Sequence, residues 1–290
     1  MNSDSINKKY ARQSFNKAAS TYDKVAVLQR EVGKRLVERL DIIRSVPKTI
    51  LDVGCGTGDN TLQLGRLYKQ ADIVALDFAD NMLKVARGKQ SWKQKILNSD
   101  IKFLCADAEY LPLADNSFDF IYSNLTLQWC TDLDRIFAEF RRVLKPEGLL
   151  IFSTLGPDTL KELKQSWQNV DSNRHVHQFV DMHDVGDAMI RAGLADPVMD
   201  MEYFTLTYDS VMSLMRELKQ LGAHNASVNR PHQLTGKQHL RAMERNYEKF
   251  RHENKLPATY EVVYGHAWSV GVNKSSAGTS SVVEVQFKPR

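Results

Sequence analysis

At 290 residues, 42% of them hydrophobic, the chain is long enough for one large domain or two small ones around a sizeable core. No apolar run approaches a membrane span, and Met1 to Lys9 lack a signal-peptide apolar core, which argues against a membrane or secreted protein and for a soluble cytoplasmic one. The formal net charge of +4 hides an asymmetry: Met1 to Ile50 carry an excess of +6 and Asn229 to Pro257 one of +4, leaving the remainder at −6.

In chain order, Val25, Leu28, Val32, Leu36, Leu40 and Ile43 have helical spacing, which predicts one N-terminal helix over Val25 to Ile43, closed by Pro47. Ile50-Leu51-Asp52-Val53 then reads as an apolar strand running into the turn Gly54-Cys55-Gly56-Thr57-Gly58. A second strand, Ile73 to Asp77, ends in a carboxylate 19 residues after Gly58, where a doubly wound fold holds a ribose. A helix follows, with Asp80 or Asn81 as its N-cap. Ile101 to Cys105 is a third strand ending in Ala106-Asp107-Ala108, Phe118 to Asn124 a fourth, and Leu149 to Thr154 a fifth after the turn at Lys145 to Gly148. Strands alternating with helical stretches predict a parallel sheet covered on both faces.

Val198 to Leu206 is strand-like, and Asp209 is expected to cap a helix carrying Val211, Leu214, Met215, Leu218 and Leu221, stopped by Gly222. Gln238 to Glu253 reads as a basic helix and Tyr260 to Trp268 as a late strand. The serine-rich tail from Asn273 is expected to be loose. Cys55, Cys105 and Cys130 contain no C-x-x-C pair and are expected to be small buried hydrophobes in or next to strands. His175, His177 and His183 have a spacing open to metal binding, but they fall in a polar connection, and no metal is expected. The basic segments are open to two readings, solvated helix faces or contact with an acidic macromolecule. No arginine-rich run or binding motif supports nucleic acid.

The glycine spacing is G-x-G-x-G, not the G-x-G-x-x-G of a pyrophosphate-binding turn, and Asp52 beside it would repel phosphate but suit an ammonium group. Asp52, Asp77, Asp107 and Asn124 all fall at strand ends, where doubly wound sheets bind ligands. Any one of the acids could equally be a cap or turn residue. The turn resembles motif I of class I S-adenosylmethionine-dependent methyltransferases. That resemblance implies backbone contacts from Gly54, Gly56 and Gly58 to the amino-acid end of the cofactor. It also implies ribose hydroxyls on Asp77, Phe78 and Met82 bordering the nucleoside, and the adenine amino group on Asp107 with Ala108 beside it.

Nearly the whole chain, apart from its tail, is similar to the malonyl-acyl-carrier-protein O-methyltransferases of biotin synthesis. The specific stretches are Ser14 to Asp23, Ser123 to Cys130, Phe152 to Leu163, Met215 to Ala223 and Leu234 to Lys237. The resemblance implies a doubly wound, Rossmann-like α/β sheet, mostly parallel with an antiparallel edge strand. It implies one domain over 1–270: an N-terminal helical lid (1–48), a cofactor core (49–156) and a helical insertion before the last strand (209–257), with 271–290 a flexible tail. The implied reaction methylates the free carboxylate of malonyl carried by the phosphopantetheine arm of acyl carrier protein, an acidic partner that would give the basic segments a purpose. Tyr22 as a lid, Trp129, and Arg216 as carboxylate anchor are the expected catalytic residues, with a surface arginine pairing with a nearby acid as the equal alternative for Arg216. Two other readings stay open: a related protein arginine hydroxylase, and a cofactor-binding assembly factor without transfer activity. Neither nucleic acid nor membrane is an expected partner.

Overall fold

A computed structural model describes residues 6–43, 46–90, 101–228 and 236–270, with the side chains of 41 and 42 excepted. The expected loose tail lies outside the described residues. Seven strands form one sheet in the order β3-β2-β1-β4-β5-β7-β6. They are β1 (Thr49–Val53), β2 (Asp72–Asp77), β3 (Ile101–Cys105), β4 (Phe118–Ser123), β5 (Leu144–Leu155), β6 (Leu194–Tyr208) and β7 (Leu256–Ser269). The first five pair in parallel, whereas β7 is antiparallel to both β5 and β6, one place in from the β6 edge.

The central strands are apolar almost continuously because both faces are covered. Ile50, Leu51, Val53, Ile73, Ile121 and Leu150 are wholly buried. Helices α1 (Lys8–Ala18), α2 (Tyr22–Val25), α3 (Val27–Glu38) and α4 (Leu40–Ile43) precede the sheet. Within it, α5 (Asp59–Leu67) follows β1, α6 (Asp80–Lys89) follows β2, and α7 (Leu133–Val143) lies between β4 and β5. The Asp132 side chain caps α7 by accepting from the Arg135 amide, a bond contributing about 1 kcal/mol, and Ile136, Phe137, Phe140 and Val143 form its buried face. After β5 come α8 (Lys161–Gln168) and α9 (Met182–Arg191), and between β6 and β7 lie α10 (Val211–Gln220) and α11 (Lys237–Tyr247).

Several expected boundaries move. The single helix over Val25 to Ile43 is instead α2, α3 and α4, interrupted at Ala26 (ψ 50°) and Arg39. Ala26 is 2% exposed and its amide bonds the Tyr22 carbonyl, so tertiary packing, not a helix-breaking residue, makes the joint. Ala79, not Asp80 or Asn81, is the N-cap of α6, and Ser210, not Asp209, caps α10 by accepting from the Ser213 amide. Gly222 does end that helix, at φ +74°. The basic helix stops at Tyr247 and passes into a 3-10 turn, Glu248–Phe250. Cys55 is buried, but Cys105 is exposed at the end of edge strand β3.

The strand order reverses at β1, with β2 on one side and β4 on the other. This topological switch point opens a crevice at the carboxyl ends of the strands. Two segments close it from above. The Asn7 amide bonds the Ala226 carbonyl at 2.7 Å, and the Thr21 hydroxyl bonds the Gln220 carbonyl at 3.0 Å, so α1 and the end of α10 clasp each other across the opening.

Candidate active site

A cavity of about 320 Å³ occupies the crevice. Its floor is the turn after β1, where three glycines serve two different purposes. A Cβ on Gly54 (φ +74°) would stand 2.0 Å from the Thr126 hydroxyl, and one on Gly58 (φ +83°) 2.9 Å from the Ala86 methyl of α6. At Gly56 (φ +54°) a Cβ would meet nothing within 4 Å. Gly54 and Gly58 therefore admit neighbouring protein atoms, while Gly56 leaves open space against the cavity.

Asp77, 6% exposed, stands beside Gly56 at the end of β2. Its Oδ2 accepts from the Gly56 amide at 2.9 Å and its Oδ1 from the Ala79 amide at 2.7 Å. Burial outweighs these bonds and pushes its carboxyl up to about 6. Asp52, 1% exposed, is not among the lining residues but lies behind the turn, where Thr61 donates to it at 2.5 Å. Burial, opposed by the Thr61 bond and aided by the charge of Asp77, pushes Asp52 up to about 7.

Asp107 and Ala108 line the cavity beyond Asp77. Lys8 of α1 donates to both Asp107 oxygens at 2.7 Å and pairs with buried Glu109 at 2.9 Å. Phe78 and Met82 line the same end. Asn124 lines the cavity with its amide engaged, donating to the Gln29 carbonyl at 3.0 Å and accepting from Ser153 at 2.7 Å. Tyr22, the first residue of α2, lines it too, its hydroxyl pushed up by burial and by the negative charge of Asp77.

Trp129 is a side wall. Its ring meets Phe15 edge-on at 5.0 Å and lies parallel to His177 at 6.4 Å. Arg216 is a correction: it is exposed and outside the lining residues, while its neighbours Met215 and Glu217 line the cavity. One helical step of about 100° carries position 216 off the inward face. Tyr208 donates to Glu217 at 2.7 Å.

The sequence reading assigned no role to Lys8, Phe15, Gln29 or His177, all of which line the cavity. Phe15 falls inside a stretch singled out by resemblance, and only its contact with Trp129 reveals its use. The histidines part company: His175 stacks on Trp167 at 3.6 Å and pairs with Asp171, and His183 is exposed beside Asp181. No group of three metal-ligating side chains occurs among the described residues.

The residues fit S-adenosylmethionine. Gly56 leaves room for close approach, Asp77 offers a buried carboxylate with unused lone pairs, and Gln29 Oε1 is a buried acceptor with no partner among the described residues. An ammonium group would satisfy that acceptor.

A family model described as a methyltransferase domain matches residues 51–152. The malonyl-acyl-carrier-protein O-methyltransferase of Methylovorus sp. is 50% identical over 98% of this chain and 96% of its own length. That of Gallionella capsiferriformans is 50% identical over 99% of each. Among solved structures, the YcgJ protein of Bacillus subtilis is 15% identical and superimposes with a TM-score of 0.58, covering 81% of this chain and 98% of its own. A SAM-dependent methyltransferase from Thermotoga maritima gives 0.51 at 16% identity, covering 89% and 99%. These two likenesses concern the fold alone. No helix among the described residues is long and apolar enough to cross a membrane.

Proposed function

The chain belongs to the malonyl-acyl-carrier-protein O-methyltransferase family, and from that premise we infer that it methylates the free carboxylate of malonyl held as a thioester on acyl carrier protein. The methyl donor is S-adenosylmethionine, which when bound supplies an electrophilic methyl group on a sulfonium. The observation that carries this reading is the identity of 50% over 98% of the chain, since it spans the lid and the insertion as well as the generic cofactor core. The two 50% identical relatives are both named methyltransferases, which does not favour the arginine hydroxylase reading.

In this reading Asp77 holds the ribose hydroxyls, Asp107 the adenine amino group, and the backbone near Gly54 and Gly56, with Gln29, the amino-acid end. Phe78 and Met82 flank the nucleoside. A carboxylate is already ionised at neutral pH, so the nucleophile needs no general base. The protein's task is alignment and exclusion of water. Tyr22 and Phe15 cover the opening, and Trp129 is a wall beside it. Arg216 drops out as the carboxylate anchor.

The phosphopantetheine arm would enter beside α8 and α10, whose Leu163 and Leu218 line the cavity. On α11, which packs on α8, Lys237, Arg241 and Arg245 are exposed and make no ion pair among the described residues. Spaced four apart, they form one stripe suited to an acidic carrier. The test is transfer of labelled methyl to malonyl-carrier protein, with acetyl-carrier protein as control. A folded protein that binds the cofactor yet labels neither would support the non-catalytic reading instead.

A further inference from the structure

Among the described residues, His177 Nδ1 is one of four buried side-chain atoms without a hydrogen-bond partner, and His177 lines the cavity. The Gln128 backbone lies close enough to favour a proton on the ring, and Nδ1 has no partner, so in the tautomer with the proton on Nε2, toward that backbone, Nδ1 carries the lone pair. Burial, with the nearby Lys164 ammonium, pushes the ring down to about 4, so at neutral pH it is uncharged, and in that tautomer Nδ1 is an acceptor. Lys164 itself donates to the Pro157 carbonyl at 2.7 Å and leaves Nδ1 unpaired. An unpaired buried acceptor calls for a donor from the ligand.

A file of ring contacts locates His177 relative to the cofactor end. Phe78, next to Asp77, touches Phe15 at 5.8 Å; Phe15 touches Trp129 at 5.0 Å; Trp129 faces His177 at 6.4 Å; and His177 meets Phe179 edge-on at 5.3 Å. His177 therefore follows Trp129 in the row of rings that starts at Phe78, with Phe179 beyond it, and Val176 and Leu218 line the same cavity. A malonyl thioester enters with its carboxylate toward the cofactor and its arm trailing outward. In a pantetheine arm the first donor is the amide N–H, seven bonds from the carboxylate oxygen, roughly 8 to 9 Å when extended.

Resting on the methyltransferase reading above, we propose that His177 Nδ1 accepts a hydrogen bond from the first amide N–H of the thioester arm. The enzyme thereby measures how far the malonyl group reaches toward the cofactor. The ligand class is thioesters with a secondary amide two methylenes from sulfur.

The test compares two small substrates, the malonyl thioester of N-acetylcysteamine and that of 2-mercaptoethyl acetate, in which oxygen replaces the N–H. Wild-type enzyme is expected to prefer the amide about tenfold in kcat/KM. His177→Phe keeps the ring contacts with Trp129 and Phe179 and should turn over the two substrates equally, with cofactor affinity unchanged. His177→Gln, which restores an acceptor oxygen, should recover part of the preference. Equal turnover of both substrates by the wild type overturns the proposal whether or not the phenylalanine variant folds, and so does a full preference retained in His177→Phe. Failure of the wild type to methylate malonyl-carrier protein would overturn the underlying reading instead.

Discussion

Cofactor binding should be linked to a proton on Asp77. Its carboxyl is pushed up to about 6 by burial, while ribose hydroxyls would donate to the ionised form, so the nucleoside selects the anion. The ionised fraction is about nine-tenths at pH 7 and about one-tenth at pH 5. Apparent affinity scales with that fraction, so binding should weaken about tenfold between pH 7 and pH 5 and level off above pH 7. Removing the carboxylate deletes two charge-assisted bonds of about 1.5 to 3 kcal/mol each, so Asp77→Ala should weaken binding by more than tenfold at pH 7. Asp77→Asn should flatten the pH profile, leaving only the titration of Asp52 behind the turn, itself freed of its charged neighbour. Calorimetric titration of S-adenosylhomocysteine in buffers of differing ionisation enthalpy reads both the affinity and the proton release that selection of the anion requires. A dissociation constant that stays flat from pH 5 to 8 in the wild type, or is unchanged in Asp77→Ala, would refute the ribose assignment.

Tyr22→Ala should lower turnover more than it lowers Tm, because Tyr22 lines the cavity from the lid; a sharp drop in Tm with turnover kept would make it a packing residue instead. Reversing the charges of Arg241 and Arg245 should raise KM for malonyl-carrier protein while sparing malonyl-CoA, and equal effects on both would remove α11 from docking. Gly54→Ala should cost about 2 kcal/mol or more in urea unfolding, since a positive φ and the Thr126 side chain both oppose a Cβ. Gly56→Ala, with open space before it, should cost about 1 kcal/mol of stability yet impair cofactor binding; the reverse ranking would contradict the separate roles drawn for the two glycines.

The cofactor half of the site is legible in the sequence because its signals are local. A strand ending in an acid, a glycine turn and the next strand's acid stand within 26 residues, Asp52 to Asp77, and sheet topology alone gathers them. The other half depends on contacts between distant segments. Lys8 reaches Asp107 across 99 positions, and Phe15 finds Trp129 only because α1 folds back over the crevice. No periodicity encodes such a meeting. The misplaced Arg216 has a nearer cause: the apolar stripe of Leu214, Met215 and Leu218 already says which side of α10 faces inward. The joint at Ala26 was invisible because alanine is an excellent helix former, and only packing stops the helix there.

The pairing of β6 with β7 makes the two strands a hairpin, joined antiparallel from Leu194↔Ser269 to Tyr208↔Leu256. The whole insertion carrying α10 and α11 is thus the loop of that hairpin, leaving the sheet at Tyr208 and returning at Leu256 beside the crevice. Loop-closure entropy rises only slowly with length, about 0.6 kcal/mol for each doubling. Length as such therefore costs the sheet little, whereas Val211, Leu214, Met243 and Tyr247 of the insertion pack into the same core as the central strands and are not free to change. Selection on which acyl group is admitted can act on the cavity-lining and exposed positions of this loop, such as Lys219 and Arg241, and leave its core-packing face in place.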